Sequence, residues 1–494
     1  MTLSKSQYIR GLQCHKSLWL YKHKPELRDT PDASQESLFI TGYQVGDLAK
    51  ELFPGGVEIE FDANNFDGMI KKTKELISNC TEIIYEATFK ENGIFAMADI
   101  LVKSGDVWDM YEVKASTEVK AYHLDDASIQ WYALSNSIKP GRAYIVHIDN
   151  SYTREGKLDL KKLFAIEDVT DEVLKRQYDI PMQLSQIKKM LQDDMPDIDI
   201  GLHCSDPFEC DFWKFCWKDI PNPSVFNLYR MNGRKKFELY NDGIVSYDDI
   251  IDHNIALNDT QKLQVEAYEN GKVTIDKQII KGFLDTIKYP INFFDFETFQ
   301  EAIPRFDNQR PYQQIPFQYS LHILHEDGSL EHKEFLGDEN SDPRPDLIKQ
   351  MLNDITPTGS IVAYNQSFEI SRIKELALFT PRYEKELLSL TDRFVDLIVP
   401  FRQKGYYHPN FNGSFSIKAV LPAMFPDNDE LDYKKLGSVQ NGGDAMDTFA
   451  NLHLLKDKSK RDEIRKDLLA YCRLDTLAMV RIWEKLEEIV VNGG

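Results

Sequence analysis

Apolar positions change their period several times along the chain, and each change marks an element. Residues 36–53 (ESLFITGYQVGDLAKELF) carry Phe39, Tyr43, Leu48 and Leu52 at helical spacing, with Gly42 and Gly46 suited to close packing. Strand-like alternation follows over 81–89, 93–103, 107–115 and 142–148. Residues 171–195 read as one helix that runs into the acidic, proline-containing stretch DDMPDIDI. An irregular segment, 201–217, precedes Pro221-Asn222-Pro223, a natural boundary. Residues 224–288 have helical character, and FELYNDGIVSYDDII within them reads as helix, glycine turn, helix. From residue 291 a new alternation of strands (INFFDFET, PFQYSLHIL, SIVAYN) and helices (344–355, 367–379, 461–488) begins. The pattern predicts an α/β chain with domains at 1–220 and 289–494 joined by a helical connector, 221–288.

Two groups of carboxylates fall on these elements. GIFAMADILVKSGDVWDMYEVKAS predicts a hairpin closed by Gly105-Asp106, a two-residue turn with glycine first. That turn places Asp99 across from Glu112, and Lys114 shares the face of Glu112 because strand side chains repeat every second residue. Paired carboxylates bind Mg²⁺ or Mn²⁺, which favour oxygen. A nearby lysine orients water or neutralises a developing phosphorane charge. Glu86, on the preceding strand, is placed to help through a water or a second ion, and Gln130, in SIQWYAL, to touch the lysine, the water or a phosphate. The bland alternative for Glu-x-Lys alone is a solvated ion pair.

The second group opens with INFFDFETF, which puts Asp295 and Glu297 on one strand face. Far downstream, LLAYCRLDTLAMVRI stacks Tyr471 and Asp475 four apart on a helix. Glu369 lies in IVAYNQSFEISRI, where a strand gives way to a helix. Such a set can hold two divalent ions about 4 Å apart, with Tyr471 holding the attacking water. Lys418, in NGSFSIKAV, is a candidate phosphate contact.

The cysteines change the picture again. Cys204, Cys210 and Cys216 are evenly spaced after the first carboxylate group, and Cys14 precedes it. Thiolates cluster in this way for soft metals or iron–sulfur groups. Zn²⁺ is the alternative, with His15 and His203 as neighbours, and unligated core thiols are the bland reading. Cys80 and Cys472 read as ordinary buried residues.

Composition narrows the function less than the motifs do. Hydrophobic residues make up 42% of the 494 and aromatics 12%, enough for two cores. No apolar run is long enough to span a membrane, and the N-terminus lacks a signal peptide's apolar stretch, so the expected location is cytoplasmic. The net charge of −21 speaks against an extended basic footprint for nucleic acid; any such groove must be local.

The N-terminal motifs resemble those of RecB-type PD-(D/E)XK nucleases, above all the CRISPR-associated and AddB-like members with an iron–sulfur cluster. Asp99, Glu112 and Lys114 match D…E-x-K. The resemblance implies that Cys14, Cys204, Cys210 and Cys216 hold a [4Fe–4S] cluster stapling the domain ends, although Cys-x5-Cys replaces the usual first gap of two. Gly46 falls at or beside the place of the family's helix histidine, leaving Glu86 or the Val113 carbonyl to complete the metal set. The C-terminal motifs resemble DEDDy 3′–5′ exonucleases of the ribonuclease H-like fold: Asp295 and Glu297, then Asn365, Phe368 and Glu369 (in place of aspartate), then Tyr471 and Asp475. Asp396 also looks family-like. Together they imply a restriction-endonuclease-like domain fused to a ribonuclease H-like one, and a nuclease acting on DNA, as single strands or duplex ends, in repair, recombination or defence. The alternatives are ribonuclease activity in the C-terminal domain, or a nucleic-acid-binding protein with one or both sites degraded.

Overall fold

The computed structural model describes residues 2–30 and 33–491. The chain is mixed α/β and divides into two compact units: Met1–Asp219 with Glu301–Tyr312, and Ile220–Gln300 with Gln313–Gly494. Among the described residues, no helix is long and apolar enough to cross a membrane.

The first unit runs β1 (Leu3–Ser4), α1 (Lys5–Gln13), α2 (Ala33–Lys50), β2 (Val57–Glu58), α3 (Phe66–Ser78), β3 (Ile83–Glu91), β4 (Ile94–Ser104), β5 (Val107–Lys114), α4 (Ala121–Leu134), β6 (Pro140–Ile148) and β7 (Phe164–Asp168), with shorter helices between and after. Its sheet has the order β2-β3-β4-β5-β6-β7, and β1 pairs parallel to β4. Strands β3, β4 and β5 form an antiparallel meander, while α4 carries the chain over to β6, which runs parallel to β5. The hairpin register is the one its turn predicts: Ser104 faces Val107, Ile100 faces Tyr111, and Gly105 takes φ +62. Neighbouring residues bury on opposite faces, Met110 and Ile145 in one core, Tyr111 and Val146 in the other. Ala302, Ile303 and Tyr312, from the excursion Glu301–Tyr312, complete the second core.

Three expectations change here. The helix over 171–195 is two, Thr170–Arg176 and Ile180–Met190, because Pro181 lacks the amide that would continue the first and suits the opening turn of the next. On α2 the inward positions are Val45 and Ala49, with Leu48 partly buried, whereas Phe39 and Tyr43 are exposed. A Cβ at Gly42 or Gly46 would meet nothing within 4 Å, so neither marks a close approach. Cys80 is exposed at a helix end, with φ +56.

The second unit begins with short helices built around Val225, Leu239, Tyr247 and Val265. After β8 (Thr274–Ile275) come β9 (Ile291–Phe299), β10 (Ile315–Leu324), β11 (Leu330–Leu336), β12 (Ile361–Ala363), α5 (Ser367–Phe379), β13 (Phe394–Asp396), β14 (Tyr406–Tyr407), α6 (Ile417–Met424), α7 (Gly442–Leu452) and α8 (Lys458–Val491). The main sheet has the order β11-β10-β9-β12-β13, antiparallel on the first side and parallel from β9 onward. All ten positions of β10 are buried, as befits a strand covered on both faces. Strand β11 lay outside the sequence reading because its residues, LEHKEFL, sit at the sheet edge, mostly half-buried and polar.

Gly359 precedes β12 with φ +85, and a Cβ there would lie 2.0 Å from the Pro290 carbonyl oxygen. Gly359→Ala is expected to cost roughly 2 kcal/mol or more, since it combines a forbidden backbone region with a clash. Urea unfolding monitored by tryptophan fluorescence measures this; an unchanged midpoint would contradict it.

Candidate active sites: two carboxylate clusters and a thiol-lined cavity

The first cluster forms where β4 and β5 extend past their ladder. Beyond the Ile100–Tyr111 pair, the Val113 amide donates to Asp99 Oδ2 at 2.7 Å instead of to a strand partner. Glu112 is 1% exposed and fully engaged. Its Oε1 accepts from Lys114 Nζ at 2.8 Å and Lys5 Nζ at 2.7 Å, and its Oε2 accepts from Gln130 Nε2 at 2.6 Å. Gln130, on α4, is fixed by a second donation to the Met97 carbonyl. Lys114 also reaches Asp126 Oδ2 at 2.5 Å. Glu86 interrupts the β3–β4 ladder beside Asp99, in the left-handed region at φ +56, with Lys50 Nζ 3.7 Å from its carboxylate. An acid in that conformation within a strand is strained, and such strain collects at functional sites.

Electrostatics separates the two central acids. Burial alone would raise Glu112, but the ammonium groups of Lys114 and Lys5 outweigh it and hold the carboxyl well below its usual range. Burial and the Glu112 charge push Asp99 up to about 8. The structure thus brings together Asp99, Glu112, Lys114, Gln130, Glu86 and the Val113 backbone. Lys5 and Asp126 escaped the sequence reading. The only local signal near Lys5 is a helix-capping pattern, Ser4 with Gln7.

The second cluster lies on β9. Asp295 and Glu297 point to one face; Glu369 arrives from α5, and Tyr471, Cys472 and Asp475 from α8. Asp295, Glu297, Glu369, Tyr471 and Asp475 line one cleft of about 190 Å³ with Tyr364, Phe368 and Lys418. Among the described residues, Asp295, Glu297 and Cys472 are the one set of three whose candidate ligand atoms all lie within 4.8 Å of each other. Glu86, Asp99 and Glu112 are not so close, and Glu369 and Asp475 lie outside that trio. Cys472 faces the acids, its Sγ 3.9 Å from Asp295 Oδ2, and is not simply core. Tyr433 donates to Asp475 Oδ1 at 2.5 Å, and Lys418 Nζ stands 5.6 Å from the ring centres of both Tyr433 and Tyr471. Asp396 serves the backbone here, accepting from the amides of Asn365 and Ile398.

Four buried or half-buried carboxyls share this cleft, and each is pushed up. For Asp295 and Glu297 burial is the main cause, then the charge of Asp475. Burial carries Glu369 to about 8 and Asp475 to about 6, the latter held back by Tyr433 and Lys418. Oε2 of Glu369 is buried with no hydrogen-bond partner among the described residues.

Cys14, Cys204, Cys210 and Cys216 line a single cavity with Lys16, His203 and the stacked Trp213 and Trp217. Peptide amides of Ser17 and Gly201 donate to Cys14 Sγ and Cys204 Sγ, each at 3.5 Å. Burial pushes the Cys216 thiol up to about 11. His15 does not line the cavity.

The raised acids of the second unit give a signed pH dependence. A carboxyl with a raised folded pKa contributes stability at low pH that is lost as pH rises through that pKa. Without divalent cations, the second unit's melting temperature is therefore expected to fall between pH 5 and about 8.5, spanning Asp475 near 6 and Glu369 near 8. Asp295→Asn should flatten the profile; calorimetry showing a rise over this range would contradict the assignment.

Residues 292–416 match a family described as a domain of unknown function, DUF2779. The chain is 28% identical over 305 residues to the uncharacterized protein UU173 of Ureaplasma parvum, covering 57% of this chain and 43% of that one. It is 25% identical over 253 residues to MG366 of Mycoplasma genitalium, covering 47% and 38%. Against the MG366 homolog of Mycoplasma pneumoniae it is 24% identical over 401 residues, covering 73% and 59%. The chain thus spans about half the length of the curated relatives it matches.

Proposed function

We propose that this protein is a metal-dependent nuclease with two separate sites acting on DNA, as single strands or duplex ends. The observation that carries the reading is the convergence of acids from three distant stretches, Asp295 and Glu297, Glu369, and Asp475, in one cleft beside Tyr471 and Lys418. The β11-β10-β9-β12-β13 order supports a ribonuclease H-like exonuclease domain, with its D-x-E on the central strand. The β3-β4-β5 meander and the α4 crossover to β6 support a PD-(D/E)XK domain in the first unit.

Bound Mg²⁺ or Mn²⁺ would polarise the phosphoryl oxygen and acidify the attacking water. Asp295, Glu297, Glu369 and Asp475 would hold it in the second unit, and Asp99 and Glu112, aided by Glu86 or the Val113 carbonyl, in the first. Tyr471 orients the water, and Lys418, which also lines the cleft, offsets phosphate charge. In the first unit Lys114 faces the same carboxylate that takes the cation, and Gln130 fixes that carboxylate's angle.

The four cysteines suit a [4Fe–4S] cluster. They are four thiol donors around one cavity with amides aimed at sulfur, the hydrogen bonding that tunes such clusters. Zn²⁺, bound by the same four thiolates, is the alternative that metal analysis distinguishes.

Two measurements test the reading. On 5′-labelled single-stranded DNA with Mn²⁺, the purified chain should release a ladder of shortened products. Asp295→Ala should suppress the ladder about 100-fold or more, and Lys114→Ala any internal cuts to a similar degree. Activity untouched by both substitutions would refute the assignment. Anaerobically purified protein should carry about four iron and four sulfide per chain; stoichiometric zinc would overturn the cluster.

A further inference from the structure

Lys5 opens α1, and its backbone is pinned twice. Leu3 and Ser4 pair with Ile94 and Phe95 of β4, and Ser4 caps α1 in a reciprocal box with Gln7. This anchoring brings the Lys5 ammonium to Glu112 Oε1 at 2.7 Å, the oxygen that Lys114 also binds. The two lysines differ in what remains to them. Lys114 is held between Glu112 and Asp126, with its side chain 17% exposed. Lys5 is 27% exposed and, among the described residues, makes one hydrogen bond, to Glu112. An ammonium has three donors, so two remain on the more accessible lysine.

We propose that Lys5 is a phosphate-binding residue of the first unit's site, contacting a non-bridging oxygen of the nucleic-acid backbone while Lys114 stays tied between its two carboxylates. The inference rests on the nuclease reading and assigns a contact that Asp99, Glu112 and Lys114 do not supply. It also meets a need set by charge. The chain carries −21, and Asp99, Glu112, Asp126 and Glu86 surround this spot, so a phosphate approaching it needs a local cation with donors to spare.

The test is fluorescence anisotropy of a labelled single-stranded oligonucleotide on the full chain, with Ca²⁺ as the divalent cation and KCl varied. Losing one phosphate contact on a single strand reduces the slope of log K against log salt by about 0.7. Lys5→Gln, which keeps a donor for Glu112, is expected to weaken binding and show that loss of slope. Lys5→Arg, which keeps the charge, is expected to retain the wild-type slope. An unchanged slope in Lys5→Gln, even with cleavage lost, would show that Lys5 only positions Glu112 and would overturn the proposal. Wild-type protein with no salt-dependent binding at all would sink the nuclease reading together with this one.

Discussion

The structure depends on how each unit copes with carboxylates that it removes from water. A buried acid must be paired, protonated or met by a cation from outside, because an isolated buried charge costs more than folding can absorb. The first unit pairs: Glu112, at 1% exposure, has two ammonium groups and an amide on its oxygens. The second unit does not. Asp295, Glu297, Glu369 and Asp475 share a cleft in which Lys418 is the lining ammonium, and all four carboxyls are pushed toward protonation. Lys418 is one ammonium beside four acids, so under the proposed reading a divalent ion would relieve the crowding that protonation relieves without it.

That crowding persists only if the elements around it cannot spread. Strand β9 is locked between β10 and β12, and α8 is clamped onto β10 next to Tyr471, Cys472 and Asp475. Thr476 Oγ1, one residue beyond Asp475, lies 2.7 Å from Ser320 Oγ and 2.8 Å from His322 Nδ1. Burial pushes His322 down to about 3, so the imidazole stays neutral and adds no charge to the core. Seven residues before Asp475, Gln318 Nε2 donates to the Leu468 carbonyl. These polar ties fix the rotation and height of α8, so Tyr471, Cys472 and Asp475 cannot relax away from Asp295. A wholly apolar interface would allow sliding by a turn; directional hydrogen bonds do not.

Local rules reached one layer of this arrangement and stopped at the next. The hairpin was legible because Gly105 sets its turn and the turn sets the register that brings Asp99 to Glu112. Asp295 with Glu297, and Tyr471 with Asp475, were legible because strand and helix periods place them on shared faces. Local periodicity alone did not reach the long-range partner Lys5. Lys5 lies 107 residues from Glu112, and its arrival depends on a two-residue strand with no hydrophobic signature. Periodicity found α2 and set Leu48 and Leu52 against the core, but misplaced Phe39 and Tyr43, which are exposed while Val45 and Ala49 turn inward. Cys472 looked like core because its neighbours are apolar; that it faces Asp295 is a fact of helix docking, not of sequence.

The two solutions imply different routes to a loaded site. Under the proposed reading, a cation in the first unit would meet an ionised Glu112 whose Oε1 already bears two ammonium groups and whose Oε2 bears the Gln130 amide, so it would compete with bonds already made. In the second unit the competitor is the proton. Under the same reading, a cation entering among carboxyls raised as far as Glu369 and Asp475 would expel protons near neutral pH, so its affinity would climb with pH. Asp99, pushed up to about 8 by burial and by the charge of Glu112, and Glu86, raised by burial, add proton-linked steps to the first unit as well, against four raised acids in the second. The same pair of residue types, aspartate and glutamate, thus stands in one cluster beside two lysines and in the other among acids pushed toward protonation. The difference traces to α1, which delivers a lysine to Glu112, whereas among the described residues lining the cleft of the β9 acids the ammonium is that of Lys418.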